Sequence, residues 1–393
     1  MGRFLMFFSY VGSRYRGLQR QNALVKGDPI PTIEGALHQA MTALQPANSF
    51  KIVLSSRTDS GVHAIKNACQ VDLTFPEEGK EYEPSIITSV VNYHLRRRKD
   101  DVRVLETKRV PDSFQCRFMA QGREYVYRLA FPKQQELIDE REKLMPKLMK
   151  FRFNSKGFPM LPLGDICSVL DVDKTALLRE TLDIGKLLSA AQLLSGIHNF
   201  ESFTANRKSD DVYQPHPVKM LTIGVKRGQP FGFPLQGHDY KVNEVLEFWD
   251  IHVQSKSFLY RQVRRVVGAM VLVAKGAIQL SDLQDILENP QKDFKFSGQM
   301  VMNEAGLYLL DVKYNPKDLI FSPTKSTEAS ASGLLCEKEE EMAEKPVDGL
   351  DEDSTSDFDN LRPRPEVTAS ETDILIPEAA VTADPDHQLT AIK

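Results

Sequence analysis

Cysteine is scarce in this chain. Four residues, Cys69, Cys116, Cys167 and Cys336, occur in 393, and no two sit at metal-ligand spacing. That argues against a disulfide framework or a zinc site and for free thiols in a reducing compartment. No apolar run approaches the ~20 residues needed to span a bilayer, so no membrane partner is expected. The opening Met1-Gly2-Arg3-Phe4-Leu5-Met6-Phe7-Phe8 runs straight into a strand-like segment too short for a signal peptide, and no Arg-rich presequence is visible. An intracellular protein is expected, with mitochondrion, cytoplasm and nucleus left open. Neither a dinucleotide fingerprint nor a cluster of metal-binding residues stands out, so no cofactor and no metal are expected.

The net charge of −4 conceals a division. Residues 323–393 hold 18 acids against 6 bases, a net of −12, leaving 36 acids and 44 bases, or +8, in residues 1–322. A basic body suits a polyanionic partner. The tail carries Glu339-Glu340-Glu341 and Asp351-Glu352-Asp353 among repeated Pro and Ser, with few large apolar residues. Such composition cannot offset the entropy lost on ordering, so an acidic disordered tail is expected over 323–393.

Hydrophobic periodicity in the body alternates strands and helices. Strands are predicted over 3–10, 51–55, 67–75, 102–110 and 123–130, with helices over 33–44, capped by Thr32, and 84–95. A second half repeats the logic: helix 184–194, strands 218–225 and 245–253, helices 258–275 and 281–287, strand 307–312. The fold class expected is α+β, two similar halves with mixed or antiparallel sheets flanked by helices. The first half spans 1–131 and the second 176–322, with an insertion rich in Lys, Glu and Pro between them at 132–175.

Four segments carry chemistry. Ser56-Arg57-Thr58-Asp59-Ser60-Gly61-Val62-His63 joins two strands by a connection longer than a tight hairpin needs. It sets an acid beside an Arg, with hydroxyls on both sides and a Gly that permits a bend or close approach of a ligand; an ordinary Asp-Ser-Gly turn has the same composition. Tyr10-Val11-Gly12-Ser13-Arg14-Tyr15-Arg16-Gly17-Leu18-Gln19-Arg20-Gln21-Asn22 interleaves cations for phosphates with tyrosines able to stack on unpaired bases, or is a surface loop. In Arg123-Glu124-Tyr125-Val126-Tyr127-Arg128, strand alternation puts Arg123, Tyr125 and Tyr127 on one face, as a stacking platform or as core. In Phe258-Leu259-Tyr260-Arg261-Gln262-Val263-Arg264-Arg265-Val266-Val267-Gly268, helical spacing collects Arg261, Arg264, Arg265 and Gly268 on one face. Arginines in a first helical turn oppose the helix dipole, and an anionic partner explains them better than solvent does.

Together these segments resemble the TruA family of tRNA pseudouridine synthases, and within it the metazoan tRNA pseudouridine synthase-like branch. The resemblance runs from about Phe4 to Tyr314. Arg57-Thr58-Asp59-Ser60-Gly61-Val62-His63 matches the family's signature except at Ser60, where the family has Ala. Gly17-Leu18-Gln19-Arg20-Gln21, Asp112-Ser113-Phe114-Gln115-Cys116-Arg117-Phe118, His198-Asn199-Phe200-Glu201-Ser202-Phe203 and Gly306-Leu307-Tyr308-Leu309 also match. Bacterial members differ at Val11 (Asp), Leu18 (Trp) and often Gln115 (His), positions expected near RNA. Tyr260-Arg261 replaces paired histidines and points to the metazoan branch.

The resemblance implies the pseudouridine synthase fold with a cleft between the halves, Asp59 as catalytic carboxylate, Tyr125 in the active site, and Arg264 paired with Asp59. Arg57 would fill the space left by an extruded uridine or orient the backbone. Arg14, Tyr15, Arg20, Gln21, Arg123, Arg261 and Arg265 are expected to contact RNA. The partner implied is tRNA, at its anticodon arm, with other RNA and a homodimer left open. The isomerisation loses no atoms and needs no cofactor; Asp59 could act in it as nucleophile or as base. A glycosidase would need two opposed carboxylates where the signature loop has one. The alternative from another class is a non-catalytic RNA-binding protein on the same fold.

Overall fold

A computed structural model of the chain describes residues 1–21, 24–25, 28–134, 169–205, 217–231, 245–290 and 298–322. The predicted tail, most of the 132–175 insertion, Cys167 and Cys336 lie outside these residues. Residues 1–334 form one compact unit.

Ten strands of the described residues join in one sheet. They are β1 (Gly2–Tyr10), β2 (Val53–Leu54), β3 (His63–Leu73), β4 (Val102–Arg109), β5 (Gly122–Pro132), β6 (Ala176–Leu177), β7 (Gly196–Asn199), β8 (Val218–Arg227), β9 (Leu246–Ser255) and β10 (Leu307–Lys313). The order is β4-β1-β3-β10-β5-β9-β8-β7, with β2 added to β3 and β6 to β5. The last strand in sequence lies at the centre. β10 runs parallel to β3, with Tyr308 opposite His63, and antiparallel to β5, with Leu309 opposite Tyr125. It thereby joins the two halves through backbone hydrogen bonds and brings β3 and β5 to one end of a shared sheet.

The helices longer than four residues are α1 (Ile33–Met41), α2 (Pro84–Arg97), α3 (Ile184–Leu194), α4 (Gln262–Ala274) and α5 (Leu280–Glu288). α1 and α2 pack together beside β4, while α3 packs on β8 and α4, and α4 reaches β5. Thr32 caps α1 as expected, its Oγ1 accepting from Gly35 N at 3.2 Å. Ile33, Ala36, Leu37, Ala40 and Met41 form the buried face of that helix.

Several boundaries move, each for a physical reason. β3 begins at His63 rather than at residue 67, because Tyr10 pairs with Ala64 and Tyr308 with His63, extending the ladder backwards. The helix expected over 258–275 starts at Gln262, since Arg261 adopts the left-handed conformation (φ 59°, ψ 15°). The expected amphipathic pattern also fails there: all of α4 is buried, Arg264 and Arg265 included. No solvated basic face remains.

Candidate active site

Asp59 stands in the connection between β2 and β3, and side chains from elsewhere in the first half pin that connection. Tyr10 Oη lies 2.7 Å from Thr58 Oγ1, Leu18 N donates to Thr58 O at 3.2 Å, and Ser60 Oγ donates to Tyr15 O at 3.2 Å. Ser60, the departure from the family signature, thus adds a tether. Val62 N donates to Asp59 O at 3.3 Å and closes the turn. Gly61 is required there on two counts: its φ is +81°, and a Cβ would come within 2.5 Å of Glu304 Cγ. Its close neighbour is therefore a side chain of the protein itself. His63 ends the loop as a fixing residue. Its Nδ1 accepts from Gly12 N at 3.1 Å and its ring stacks on Tyr308 at 4.7 Å between centroids. Burial pushes its pKa down to about 4, so the imidazole is neutral near pH 7.

Arg264, from the first turn of α4, meets Asp59 from the opposite half. Its Nη1 is 3.6 Å from Asp59 Oδ2, and Arg261 Nε is 3.8 Å from the same oxygen. Both separations are those of ion pairs, longer than good hydrogen bonds. The Arg264 guanidinium is held from behind, donating through Nε to Met302 O at 2.6 Å and through Nη2 to Glu304 Oε2 at 3.0 Å. With its side chain only 9 % exposed, such partners are what make a buried cation tolerable. Arg261 is looser, its side chain 39 % exposed and its guanidinium 5.0 Å from the Tyr260 ring centroid.

A cleft of about 960 Å³ opens over these groups. Nine basic residues line it, Arg16, Arg20, Arg57, Arg117, Arg123, Lys219, Lys256, Arg261 and Arg264, against two acids, Asp59 and Glu201. Tyr125 forms part of the wall, its ring edge-on to Phe258 at 5.1 Å and its Oη 3.1 Å from Ser56 Oγ. Burial raises the phenol pKa, so Tyr125 stays protonated. The arrangement offers an ionisable carboxylate facing a fixed guanidinium, an aromatic ring nearby and a cationic surround for a polyanion.

A family model described as tRNA pseudouridine synthase matches residues 190–315, which include Arg261, Arg264 and Glu304 but not Asp59 or Tyr125. The chain is 30 % identical over 334 residues to tRNA pseudouridine synthase-like 1 of Xenopus laevis, covering 84 % of this chain and 98 % of that protein. It is 32 % identical over 314 residues to the Homo sapiens protein of the same name, covering 79 % and 90 %. The chain belongs to the TruA family of tRNA pseudouridine synthases, which are isomerases. A bacterial member, tRNA pseudouridine synthase A of Ehrlichia canis, is 26 % identical over 312 residues, covering 79 % of this chain and all of its own. The expected assignment to TruA and its metazoan branch, and the expected α+β fold, agree with these relatives.

Within this TruA member the structure sorts the predicted site residues. Asp59, Arg57, Tyr125, Arg264, Arg20, Gln21, Arg123 and Arg261 line one cleft. Two expected RNA contacts are corrected. Tyr15 is buried, its Oη donating to Asp100 Oδ1 at 3.2 Å, so its ring packs in the core instead of stacking on a base. Arg265 is buried and donates through Nη2 to Ser202 O at 3.0 Å, because one further residue along α4 turns it away from Arg264. Arg14 lies outside the cleft lining with its side chain 60 % exposed, pairing with Asp101 at 2.6 Å. The proposed two-tyrosine platform divides: Tyr125 reaches the cleft, while Tyr127 is wholly buried and donates to Asn303 O at 2.5 Å. Arg123 lines the cleft with its guanidinium engaged, donating to Ser55 O and Arg117 O at 3.0 Å each and to Lys256 O at 2.6 Å. Sequence reasoning missed Glu304, the second acid at Arg264. Its only signal was its place two residues before the matching Gly306-Leu307-Tyr308-Leu309.

Proposed function

We propose that this protein converts uridine to pseudouridine in the anticodon arm of tRNA, with Asp59 as the catalytic carboxylate. The observation that carries the reading is the Asp59 carboxylate set in a cationic cleft opposite an Arg264 fixed by Met302 and Glu304. The reaction breaks the bond from ribose C1′ to uracil N1, turns the base and joins C1′ to C5. N1 gains a proton and C5 releases one. A stacked uridine hides C1′, so the nucleotide is extruded into the cleft, where Tyr125 supports the base and Arg57, exposed at the rim, takes the space it leaves. Asp59 acts at C1′ or on a sugar proton; either role needs the ionised carboxylate that the two guanidiniums favour. Glu304 supplies no opposed second carboxylate of the glycosidase kind, because it bonds Arg264 and does not line the cleft.

The test is tritium release from unmodified tRNA transcripts labelled at uracil C5. Wild type releases tritium, and Asp59→Asn, similar in shape but uncharged, loses on the order of 10²–10⁴-fold in rate while still binding RNA. Tight binding by wild type with no release would establish the non-catalytic alternative. Mapping the product to positions outside the anticodon arm would overturn that part of the reading.

A further inference from the structure

Phe118 is the most exposed large apolar side chain of the described residues, 73 % accessible, and it lies on the wall of the cleft. Its setting makes that exposure informative. The turn between β4 and β5 anchors itself inward through Phe114 and Cys116, both fully buried, and Ala120. Cys116 N donates to Gln70 Oε1 at 3.0 Å, and Tyr314 Oη donates to Cys116 O at 2.7 Å. The turn therefore has its core contacts without Phe118. Arg123 then fixes it to the site, since one guanidinium binds the carbonyls of Arg117, Ser55 and Lys256. Phe118 is presented outward from a rigid support, adjoining the start of the Asp59 loop, with the Arg117 guanidinium 5.9 Å from its ring centroid.

Resting on the function proposed above, we infer that Phe118 is a stacking platform for an unpaired nucleobase of the RNA, one flanking the uridine that enters the cleft. An apolar protein segment is a poor occupant, because the cleft around the ring carries nine cations to two acids. A nucleic acid strand meets both features at once: its phosphates answer the cations, and each base offers a π-face to an aromatic ring whatever its identity. Extruding a uridine unstacks its neighbours, and a ring fixed at the rim recovers part of that stacking.

The experiment compares wild type, Phe118→Ala and Phe118→Trp on the same C5-labelled unmodified tRNA transcripts. Because the ring is exposed, both variants keep the wild-type melting temperature. Phe118→Ala weakens binding about tenfold, with most of the loss in kcat/KM falling on KM, and Phe118→Trp restores affinity. The salt dependence of binding keeps its slope in Phe118→Ala, since no phosphate contact is removed. The chain has one natural tryptophan, so emission from Phe118→Trp that is quenched on adding tRNA, beyond any change in wild type, reports stacking directly. Wild-type affinity in Phe118→Ala, a loss confined to kcat, or unquenched emission would each overturn the inference. If wild type releases no tritium yet Phe118→Ala binds more weakly, the proposed activity falls and the stacking platform stands.

Discussion

At the scale of single residues, the site rests on side chains that do two jobs. Arg264 faces Asp59 while Met302 O and Glu304 fix it from behind, so its position no longer depends on the anion it serves. His63 closes the Asp59 loop by holding Gly12 N and stacking on Tyr308, and it does so as a neutral ring. Its folded pKa is about 4 against an ordinary 6.5, so between those values the unfolded chain binds a proton that the folded protein refuses. Stability from this residue is therefore complete above pH 6.5 and falls as the pH drops towards 4, by about 2 kcal/mol at pH 5. Urea denaturation at pH 7 and pH 5 measures this. His63→Asn, whose Oδ1 can take the place of Nδ1, has lower stability at pH 7 but a smaller loss between the two values. An equal loss in both proteins would assign the acid sensitivity to other groups.

At the scale of elements, α4 matters more than its sequence suggests. A glycine in a helix interior normally costs about 0.5–1 kcal/mol relative to alanine, so Gly268→Ala would ordinarily stabilise. Here a Cβ at 268 would sit 1.8 Å from Met300 O, so the close approach of the 298–302 segment to the helix depends on the missing side chain. That segment also supplies Met302 O to Arg264. Gly268→Ala is expected to lower stability by about 1–3 kcal/mol through overpacking and to reduce activity by displacing α4 from Asp59. Thermal melts and tritium release check both effects; a stabilised, fully active variant would mean that the segment relaxes without moving Arg264. The starting point of α4 follows from the same region. Arg261 in the left-handed conformation ends the preceding chain, letting its own guanidinium and that of Arg264 approach one Asp59 oxygen.

At the scale of the whole molecule, the cleft collects cations from both halves although the chain carries a net charge of −4. Affinity for tRNA should fall steeply with salt. If about four to seven of these cations meet phosphates, the slope of log affinity against log salt lies between about −3 and −6. A slope near zero would mean that the cations serve only the fold. The sequence alone determined the order of the longer elements, because hydrophobic period is a local property, though it missed the short strands β6 and β7, and it determined the Asp59 loop, because that motif is contiguous. It also marked Tyr125 and Arg264 through their neighbours in sequence. Tertiary structure decided what periodicity cannot express. A repeat of two or 3.6 residues says which side chains share a face but not what the face meets, so periodicity alone left Tyr127 and Arg265 equivalent to Tyr125 and Arg264, and packing shows what separates them. Glu304 joined the site only because β10, the last strand of the body, inserts between β3 and β5, and such long-range pairing is set by the burial of the whole sheet rather than by local residues.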